Sequence, residues 1–170
     1  MVQQMNNRSK KLLKILQDRL GSVQRGAEVG VQFGKNAEAM LASFPGLFLY
    51  LVDCYDESVP AHPKHTVAEV EAEAHRRLAR FPTRFEWLVE YSVVAAKSVP
   101  DGSLDYAFID ADHSYESVKQ DIIAWLPKIG PGGILAGHDY SARFRGVKRA
   151  VNEAFGSRLH NVGDVWWVEL

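Results

Sequence analysis

The stretch Ala27-Glu28-Val29-Gly30-Val31-Gln32-Phe33-Gly34-Lys35-Asn36 decides the fold, because it has the order of a strand end, a glycine turn and the start of a helix. A turn beneath a helix N-terminus presents unpaired backbone N–H groups, and glycines let a ligand approach the main chain closely. Gln32 stands where a dinucleotide-binding G-x-G-x-x-G loop has its second glycine, which favours a ligand without phosphates. An ordinary tight connection between a strand and a helix is the alternative. The candidate binding residues here are Glu28, Gly30, Gln32 and Gly34.

A carboxylate follows the next apolar run. Residues 47–53 read Leu-Phe-Leu-Tyr-Leu-Val-Asp, which predicts a strand ending at Asp53. An acid in this place can accept hydrogen bonds from the two hydroxyls of a ribose, so the turn and Asp53 together predict a nucleoside site. Residues 57–65, just past Asp53, contain two prolines and two histidines and are interpreted as a loop that could cover that site. Glu90 and Ser92, at the end of a third predicted strand, are candidate contacts to the adenine and ribose, with a solvated strand end as the alternative.

Helix and strand signals alternate along the chain, which predicts an α/β fold with a mostly parallel sheet. Leucines at helical spacing before Gly21 predict a leading helix within residues 1–21, and Thr66-x-x-Glu69 is a capping box that opens another helix. Further strands are predicted at 85–90, 104–110 and 133–137, with Gly130-Pro131-Gly132 as a turn. Strands at 158–162 and 165–170 flank Gly163-Asp164 and must be antiparallel, because the turn between them is so short.

The composition is that of one globular domain. The chain has 170 residues, of which 46% are hydrophobic and 24% charged, so residues 1–170 are expected to form a single domain. A net charge of -1 gives no general attraction to nucleic acid or to an anionic membrane, and neither is expected as a partner. A cytoplasmic location is expected, because no segment has the length of a membrane span and residues 1–11 lack the apolar region of a signal peptide. The single cysteine, Cys54, excludes an internal disulfide and is interpreted as a small, partly buried apolar residue.

Two features bear on surfaces. Trp166 and Trp167 are adjacent in the last predicted strand, so one is expected in the core and the other exposed. An exposed tryptophan on an edge hairpin would favour a homodimer. The basic run formed by Arg143, Arg145, Lys148 and Arg149 is interpreted as a solvated helix face, with a clamp for an acidic substrate as the alternative.

Three carboxylates, Asp53, Asp110 and Asp139, each end a predicted strand, and in an open parallel sheet such ends share one cleft. Clustered acids repel one another unless a cation lies between them. Asp110 and Asp139, with His138 or a backbone carbonyl, would give the oxygen-rich shell of Mg²⁺, or with an imidazole ligand that of Mn²⁺.

His113 lies at a predicted strand-to-helix turn, three residues after Asp110. A histidine there could accept a hydroxyl proton at neutral pH without an unusual pKa. A capping or surface histidine is the alternative. Asp112 is interpreted as the N-cap of the following helix.

Four motifs in order give a resemblance to a known family. The turn from Glu28 to Gly34 with Asp53 resembles the first two motifs of class I S-adenosylmethionine-dependent methyltransferases. The strings Phe-Ile-Asp-Ala-Asp-His-Ser-Tyr-Glu at 108–116 and Pro-Gly-Gly-Ile-Leu-Ala-Gly-His-Asp-Tyr at 131–140 look like the fourth and fifth. They are most similar to small bacterial relatives of metal-dependent O-methyltransferases.

The resemblance implies a Rossmann-like doubly wound sheet of seven strands in the order 3-2-1-4-5-7-6, mostly parallel with an antiparallel C-terminal strand. It implies methyl transfer from S-adenosylmethionine to the oxygen of a small molecule that carries a hydroxyl. His113 would be the general base, and Asp110 with the pair His138-Asp139 would hold Mg²⁺ or Mn²⁺. That pair is usually Asp-Asn or Glu-Asp, so His138 departs from the family pattern, and a base or a substrate contact is the alternative to a metal ligand at this position. The implied cofactor contacts are Glu28, Gly30, Gln32, Gly34, Asp53, Glu90, Ser92 and Asp110.

Three alternatives stay open from the sequence. One is a metal-free class I methyltransferase that acts on another acceptor. The second is a nucleotide-dependent oxidoreductase, which Gln32 disfavours. The third is a non-catalytic nucleoside-binding module, which would leave Asp110 and Asp139 unexplained.

Overall fold

Helices and strands alternate in a computed structural model that describes residues 5–59, 62 and 64–170. The strands are β1 (Arg25–Val29), β2 (Phe48–Val52), β3 (Phe85–Leu88), β4 (Leu104–Ile109), β5 (Ile129–Gly137), β6 (His160–Val162) and β7 (Val165–Glu169). The α-helices are α1 (Asn7–Leu20), α2 (Lys35–Ser43), α3 (Val67–Leu78), α4 (Ser92–Ala95), α5 (Tyr115–Trp125) and α6 (Arg145–Phe155).

All seven strands form one sheet in the order β3-β2-β1-β4-β5-β7-β6. Strands β1 to β5 pair in parallel, whereas β7 is antiparallel to both β5 and β6. The predicted topology is therefore confirmed. Val29 pairs with Val52 and with Ile109, so β1, β2 and β4 end side by side. The residues that follow these strands consequently meet at one edge of the sheet.

Alternate strand residues build a separate core on each face of the sheet. On one face, Leu12 and Leu16 of α1 pack with residues of α2 and α3. On the other face, Trp125 of α5 and Val151 of α6 pack over β4 and β5. Helix α1 packs against β5 and β7 on this face of the sheet and against α2.

The predicted helix boundaries are confirmed where a terminal residue satisfies backbone groups. Gly21 follows α1 at φ 70, in the left-handed region that glycine reaches without strain. Thr66 caps α3, and Glu69 completes the predicted capping box. Ser114, rather than Asp112, is the N-cap of α5, because its side chain accepts from the Ser117 N–H. Asp112 instead accepts from the Ser114 N–H at 2.5 Å, which stabilises the turn before the helix.

Two strand assignments differ from the predictions. Strand β3 ends at Leu88, so Glu90 lies in a bend and Ser92 begins α4. The predicted turn Gly130-Pro131-Gly132 lies inside β5, where the pairing with β4 is irregular: Leu104 pairs with Ile129, and the next pair is Tyr106 with Ile134. A bulge tolerates proline, which has no N–H to donate to the ladder.

The expectation of one exposed tryptophan is wrong. Trp166 is 1% exposed and Trp167 is 9% exposed. Strand β7 lies between β5 and β6, so it is not an edge, and Trp167 packs in the core beneath α1 and stacks on His160. The expected homodimer therefore loses the observation on which it rested.

The loop predicted at residues 57–65 is described only in part. Pro60, Ala61 and Pro63 lie outside the described residues. His62 and His65 are both in edge contact with Phe33 of the glycine turn, at ring-centroid distances of 5.3 and 5.4 Å. Arg143, just before α6, and Arg145, Lys148 and Arg149 on α6 are exposed, as expected for a solvated face.

Candidate active site

One large cavity opens at the edge of the sheet where β1, β2, β4 and β5 end, and its volume is about 960 Å³. This is the place where ligands bind in open parallel sheets. Most of the predicted site residues line this one cavity, namely Gly30, Gln32, Asp53, Glu90, Ser92, Asp110, His113, His138 and Asp139. Cys54 is half-buried and also lines it.

The glycine turn forms the middle of the cavity wall. Gly30 has φ +91, and a Cβ at this position would overlap the Asp110 carbonyl. Gly34 begins α2 but does not line the cavity; it packs against Ala74 and Leu78 of α3. Gln32 also has a positive φ, of 50. Hydrogen bonds to Asp53 and Tyr55 hold this backbone conformation in place.

Asp53 is held in place by the backbone around it. One carboxylate oxygen accepts from the Gln32 N–H at 2.8 Å, and the other accepts from the Tyr55 N–H at 3.2 Å. The Tyr55 hydroxyl in turn donates to the Gln32 carbonyl at 2.9 Å. Each carboxylate oxygen keeps a further lone pair, so Asp53 can still accept from two ligand hydroxyls.

The cavity wall near Ser92, at the start of α4, contains a buried acid that the sequence analysis missed. Asp121 of α5 is 4% exposed and lines the cavity with Ser92. The Trp125 indole donates to the Ser92 hydroxyl at 2.9 Å, and the Ser92 hydroxyl donates to Asp121. Burial raises the pKa of Asp121 to about 6. The signal was present in the sequence, because Asp121 lies on the same helical face as Val118 and Trp125.

Helix α1 contributes a cation that the sequence analysis also missed. The Arg8 guanidinium donates to the Asp110 carboxylate, forming an ion pair whose side chains are 26% and 6% exposed. Asp110 itself is fixed at the end of β4 because its N–H donates to the Val29 carbonyl at 2.8 Å. The negative charge of Asp110 therefore has a partner within the chain.

A buried polar chain holds α1 against the glycine turn. Ser9 donates to the Asn36 side-chain carbonyl at 2.8 Å, and the Asn36 amide donates to Glu28 at 3.0 Å. These three side chains are at most 2% exposed, and Glu28 does not line the cavity. Burial raises the pKa of Glu28 to about 8, against the opposing effects of Arg8 and Asn36. Burial thus favours the protonated form of Glu28, which acts in this network and not at the cavity surface.

His113 and Asp139 form a hydrogen-bonded pair on the opposite wall. His113 Nε2 lies 2.7 Å from the Asp139 carboxylate. This hydrogen bond raises the pKa of His113, and burial opposes it only in part. The imidazole also packs on Phe144, with 4.4 Å between ring centroids. The ring is therefore oriented by a carboxylate on one side and an aromatic face on the other.

His138 lies among three carboxylates. Its Nδ1 is 3.2 Å from Asp139 and 3.6 Å from Asp110, and its Nε2 is 3.2 Å from Asp164. Burial disfavours the charged imidazole, but the hydrogen bonds to Asp110 and Asp139 outweigh burial and raise the pKa of His138 to about 9. Conversely, burial would raise the pKa of Asp139, but the two histidines hold it well below its usual range. The surrounding carboxylates therefore favour the protonated imidazole of His138.

The predicted metal ligands converge, with one change. Ligand atoms of Asp110, His113 and Asp139 lie within 4.8 Å of one another, whereas the expected set contained His138 in place of His113. A nitrogen and two carboxylate oxygens suit Mn²⁺ better than Mg²⁺. An ion there would have to compete with Arg8 for Asp110 and with the His113–Asp139 hydrogen bond.

Comparison with known proteins identifies the family. The model of the methyltransferase domain family matches residues 27–140, from β1 to just past β5, and the chain belongs to this family. The sequence resemblance to class I S-adenosylmethionine-dependent methyltransferases is therefore confirmed. A stretch of 52 residues of this chain is 35% identical to the uncharacterized protein y4gI of Sinorhizobium fredii, covering 31% of this chain but only 6% of that protein.

Solved methyltransferases share the fold. The O-methyltransferase NovP has a TM-score of 0.76 at 18% identity, covering 95% of this chain and 78% of that chain. The O-methyltransferase TomG from Streptomyces achromogenes, solved with S-adenosylmethionine, has a TM-score of 0.70 at 16% identity, with coverages of 98% and 81%. The N-methyltransferase NodS from Bradyrhizobium japonicum has a TM-score of 0.64 at 16% identity, with coverages of 95% and 92%. At these identities the similarity shows the fold alone.

Among the residues that the structure describes, no helix has the length and apolar character needed to cross a membrane.

Proposed function

We propose that this methyltransferase moves the methyl group of S-adenosylmethionine to a hydroxyl oxygen of a small-molecule acceptor, and that residues 1–170 are one domain for this reaction. The observation that carries the proposal is that a single cavity joins the Gly30 turn and Asp53 to the His113–Asp139 pair. A nucleoside site and an oriented base thus face the same space.

The cofactor would lie along the ends of β2, β1 and β4. Asp53 accepts from the ribose hydroxyls, and Gly30 lets the cofactor approach the main chain closely. Ser92 and Asp121 face the adenine, with Glu90 at the rim of the cavity. The support for these roles is that all of these residues line the same cavity.

His113 would act as the base. Asp139 accepts a hydrogen bond from the Nε2–H of His113. The Nδ1 lone pair of His113 is then free to accept the proton of the acceptor hydroxyl. The acceptor oxygen then forms a bond to the methyl carbon as the carbon–sulfur bond breaks. The electron pair of the broken bond stays on sulfur, which becomes a neutral thioether. Asp139 stabilises the imidazolium that forms, in the way that a carboxylate orients the histidine of a catalytic triad.

The version of this proposal with a divalent ion uses the same residues. Asp110 and Asp139, with His113 or His138, would hold Mg²⁺ or Mn²⁺. When bound, such an ion would lower the pKa of the acceptor hydroxyl. Its support is the convergence of the three ligand atoms. In that version His113 would be a ligand or the base, but not both at once.

A binding experiment followed by a transfer screen tests the proposal. The purified protein should bind S-adenosylhomocysteine, and it should not bind NADH, the ligand of the oxidoreductase alternative. A panel of hydroxyl and amine acceptors, each with excess chelator and with added Mg²⁺ or Mn²⁺, then separates the acceptor classes and the two versions. Transfer only to amines would contradict the oxygen acceptor. Full activity in chelator would contradict the divalent ion.

A further inference from the structure

Arg8 lines the cavity although it lies outside the sequence motifs that predicted the site. It lies in the first turn of α1, and its side chain lines the cavity together with Gly30 and Asp110. An arginine guanidinium has several N–H donors and no acceptor. The structure uses one of them, Nη1, on Asp110.

The Nε–H of Arg8 is a buried donor without an acceptor. Among the described residues, no side chain or backbone group accepts a hydrogen bond from it. Buried donors are nearly always satisfied, and one that faces a cavity can be satisfied by water or by an acceptor on a ligand that fills the cavity. Because the donor belongs to a cation, an anionic oxygen is the best match.

The direction of the bound nucleoside brings such an oxygen to this place. Strand β1 lies between β2 and β4, so the ends that hold Asp53 and Asp110 are about two strand spacings, roughly 10 Å, apart. A nucleoside held through its ribose by Asp53 would therefore extend its 5′ substituent across Gly30 towards Asp110. In S-adenosylmethionine that substituent ends in an ammonium and a carboxylate.

We propose that Arg8 is a specificity-determining residue that binds the carboxylate of the methionine end of the cofactor, while Asp110 binds the adjacent ammonium. This inference rests on the proposed use of S-adenosylmethionine. The zwitterion matches the Arg8–Asp110 pair, because each protein charge meets an opposite ligand charge and the orphaned Nε–H gains an acceptor. The carboxylate, and not the nucleoside alone, is thus what α1 recognises.

The position of Arg8 is fixed before a ligand arrives. Ser9 is tied through Asn36 to Glu28, and Lys11 is paired with Asp164 at 2.6 Å. Both contacts lie within one turn C-terminal to Arg8 on the same helix, and the Arg8 guanidinium is itself held by Asp110. A guanidinium held in this way loses less freedom when it binds a ligand.

Calorimetry with three ligands tests the role of Arg8. S-adenosylmethionine carries both charged groups of the amino-acid end. Its decarboxylated form keeps only the ammonium, and 5′-methylthioadenosine has neither. The wild-type protein should prefer S-adenosylmethionine over the decarboxylated form by about tenfold or more, as expected for loss of a charge-assisted hydrogen bond. Arg8→Met should abolish that preference and leave the affinity for 5′-methylthioadenosine unchanged.

Arg19→Met is the matched control, because Arg19 lies on the same helix and pairs with Glu169 on the surface. It should keep the full preference. If Arg8→Met does not fold, Arg8→Lys, which retains the charge but lacks Nε–H, should show a reduced preference. A preference that persists without Arg8, or that is absent from the wild-type protein, would overturn the proposal. If the wild-type protein binds none of the three ligands, the proposed function itself fails.

Discussion

Replacement of Asp53 by asparagine should weaken the binding of S-adenosylhomocysteine. Asp53 is the carboxylate proposed to accept from the ribose, and asparagine keeps its size while removing its charge. A hydrogen bond to a charged group contributes about 1.5–3 kcal/mol. We therefore expect affinity to fall by about 10- to 150-fold.

Alanine at the same position should do more. Both oxygens of Asp53 accept from backbone N–H groups, of Gln32 at 2.8 Å and of Tyr55 at 3.2 Å. Alanine would leave both donors without this partner, at a net cost of about 0.5–1.5 kcal/mol each. Asp53→Ala should therefore also lower the free energy of unfolding, by about 1–3 kcal/mol.

Isothermal titration calorimetry measures the first effect, and urea unfolding without ligand measures the second. Asp56→Ala is the control, because Asp56 bonds Tyr91 and Ser58 and does not line the cavity. It should leave the affinity unchanged. Unaltered binding by folded Asp53→Asn would refute the assignment of Asp53 to the ribose.

Three other substitutions test different parts of the site. His113→Ala should lower turnover by about 10²- to 10⁴-fold, the range for a general base, with the affinity for S-adenosylhomocysteine retained; a loss of binding with unchanged turnover would contradict the base. Ser9→Ala should lower the free energy of unfolding by about 1–3 kcal/mol in urea, because it leaves the buried Asn36 carbonyl without its donor. Burial raises the pKa of Asp121 from 3.8 to about 6, so the folded state favours the neutral acid and the wild-type protein loses stability as pH rises from about 4 to about 6. Because asparagine is neutral throughout, the free energy of unfolding of Asp121→Asn should rise relative to that of the wild type by up to about 3 kcal/mol across that window. A difference that does not change with pH would contradict the buried charge.

Local patterns predicted the part of the site that neighbouring residues build. The turn after β1 and the acid after β2 follow from short sequence patterns, because strand, turn and helix signals are contiguous there. Asp110 and Asp139 could be placed in one cleft because parallel strands end at the same edge. The strand order came from the family resemblance, since no local signal states which strands are neighbours.

Contacts between distant segments were not predictable in this way. Arg8 meets Asp110 across 102 residues of sequence, and nothing in the polar start of α1 distinguishes Arg8 from the other basic residues there. The expectation that one of the two tryptophans is exposed failed for the same reason. Alternation gives the two faces of a strand, but it does not tell that α1 covers one face and α6 the other.

The ion pairs change what the clustered acids imply. The sequence analysis predicted a cation between Asp110 and Asp139. In the structure Asp110 has Arg8, and Asp139 has His113 and His138. The two acids alone are therefore no argument for a metal. An ion would have to compete with the protein's own cations for Asp110 and Asp139.

That competition can be measured at Arg8. If a divalent ion and the guanidinium share Asp110, removal of the guanidinium should strengthen ion binding, because a carboxylate is freed and a neighbouring positive charge is lost. A titration with Mn²⁺ followed by electron paramagnetic resonance should then show tighter binding to Arg8→Met than to the wild-type protein, and none to Arg8→Met/Asp110→Asn. Equal binding to the first two would show that Arg8 does not exclude the ion. Absence of binding to all three would contradict the divalent ion and favour activation of the acceptor by His113 with Asp139 or by His138.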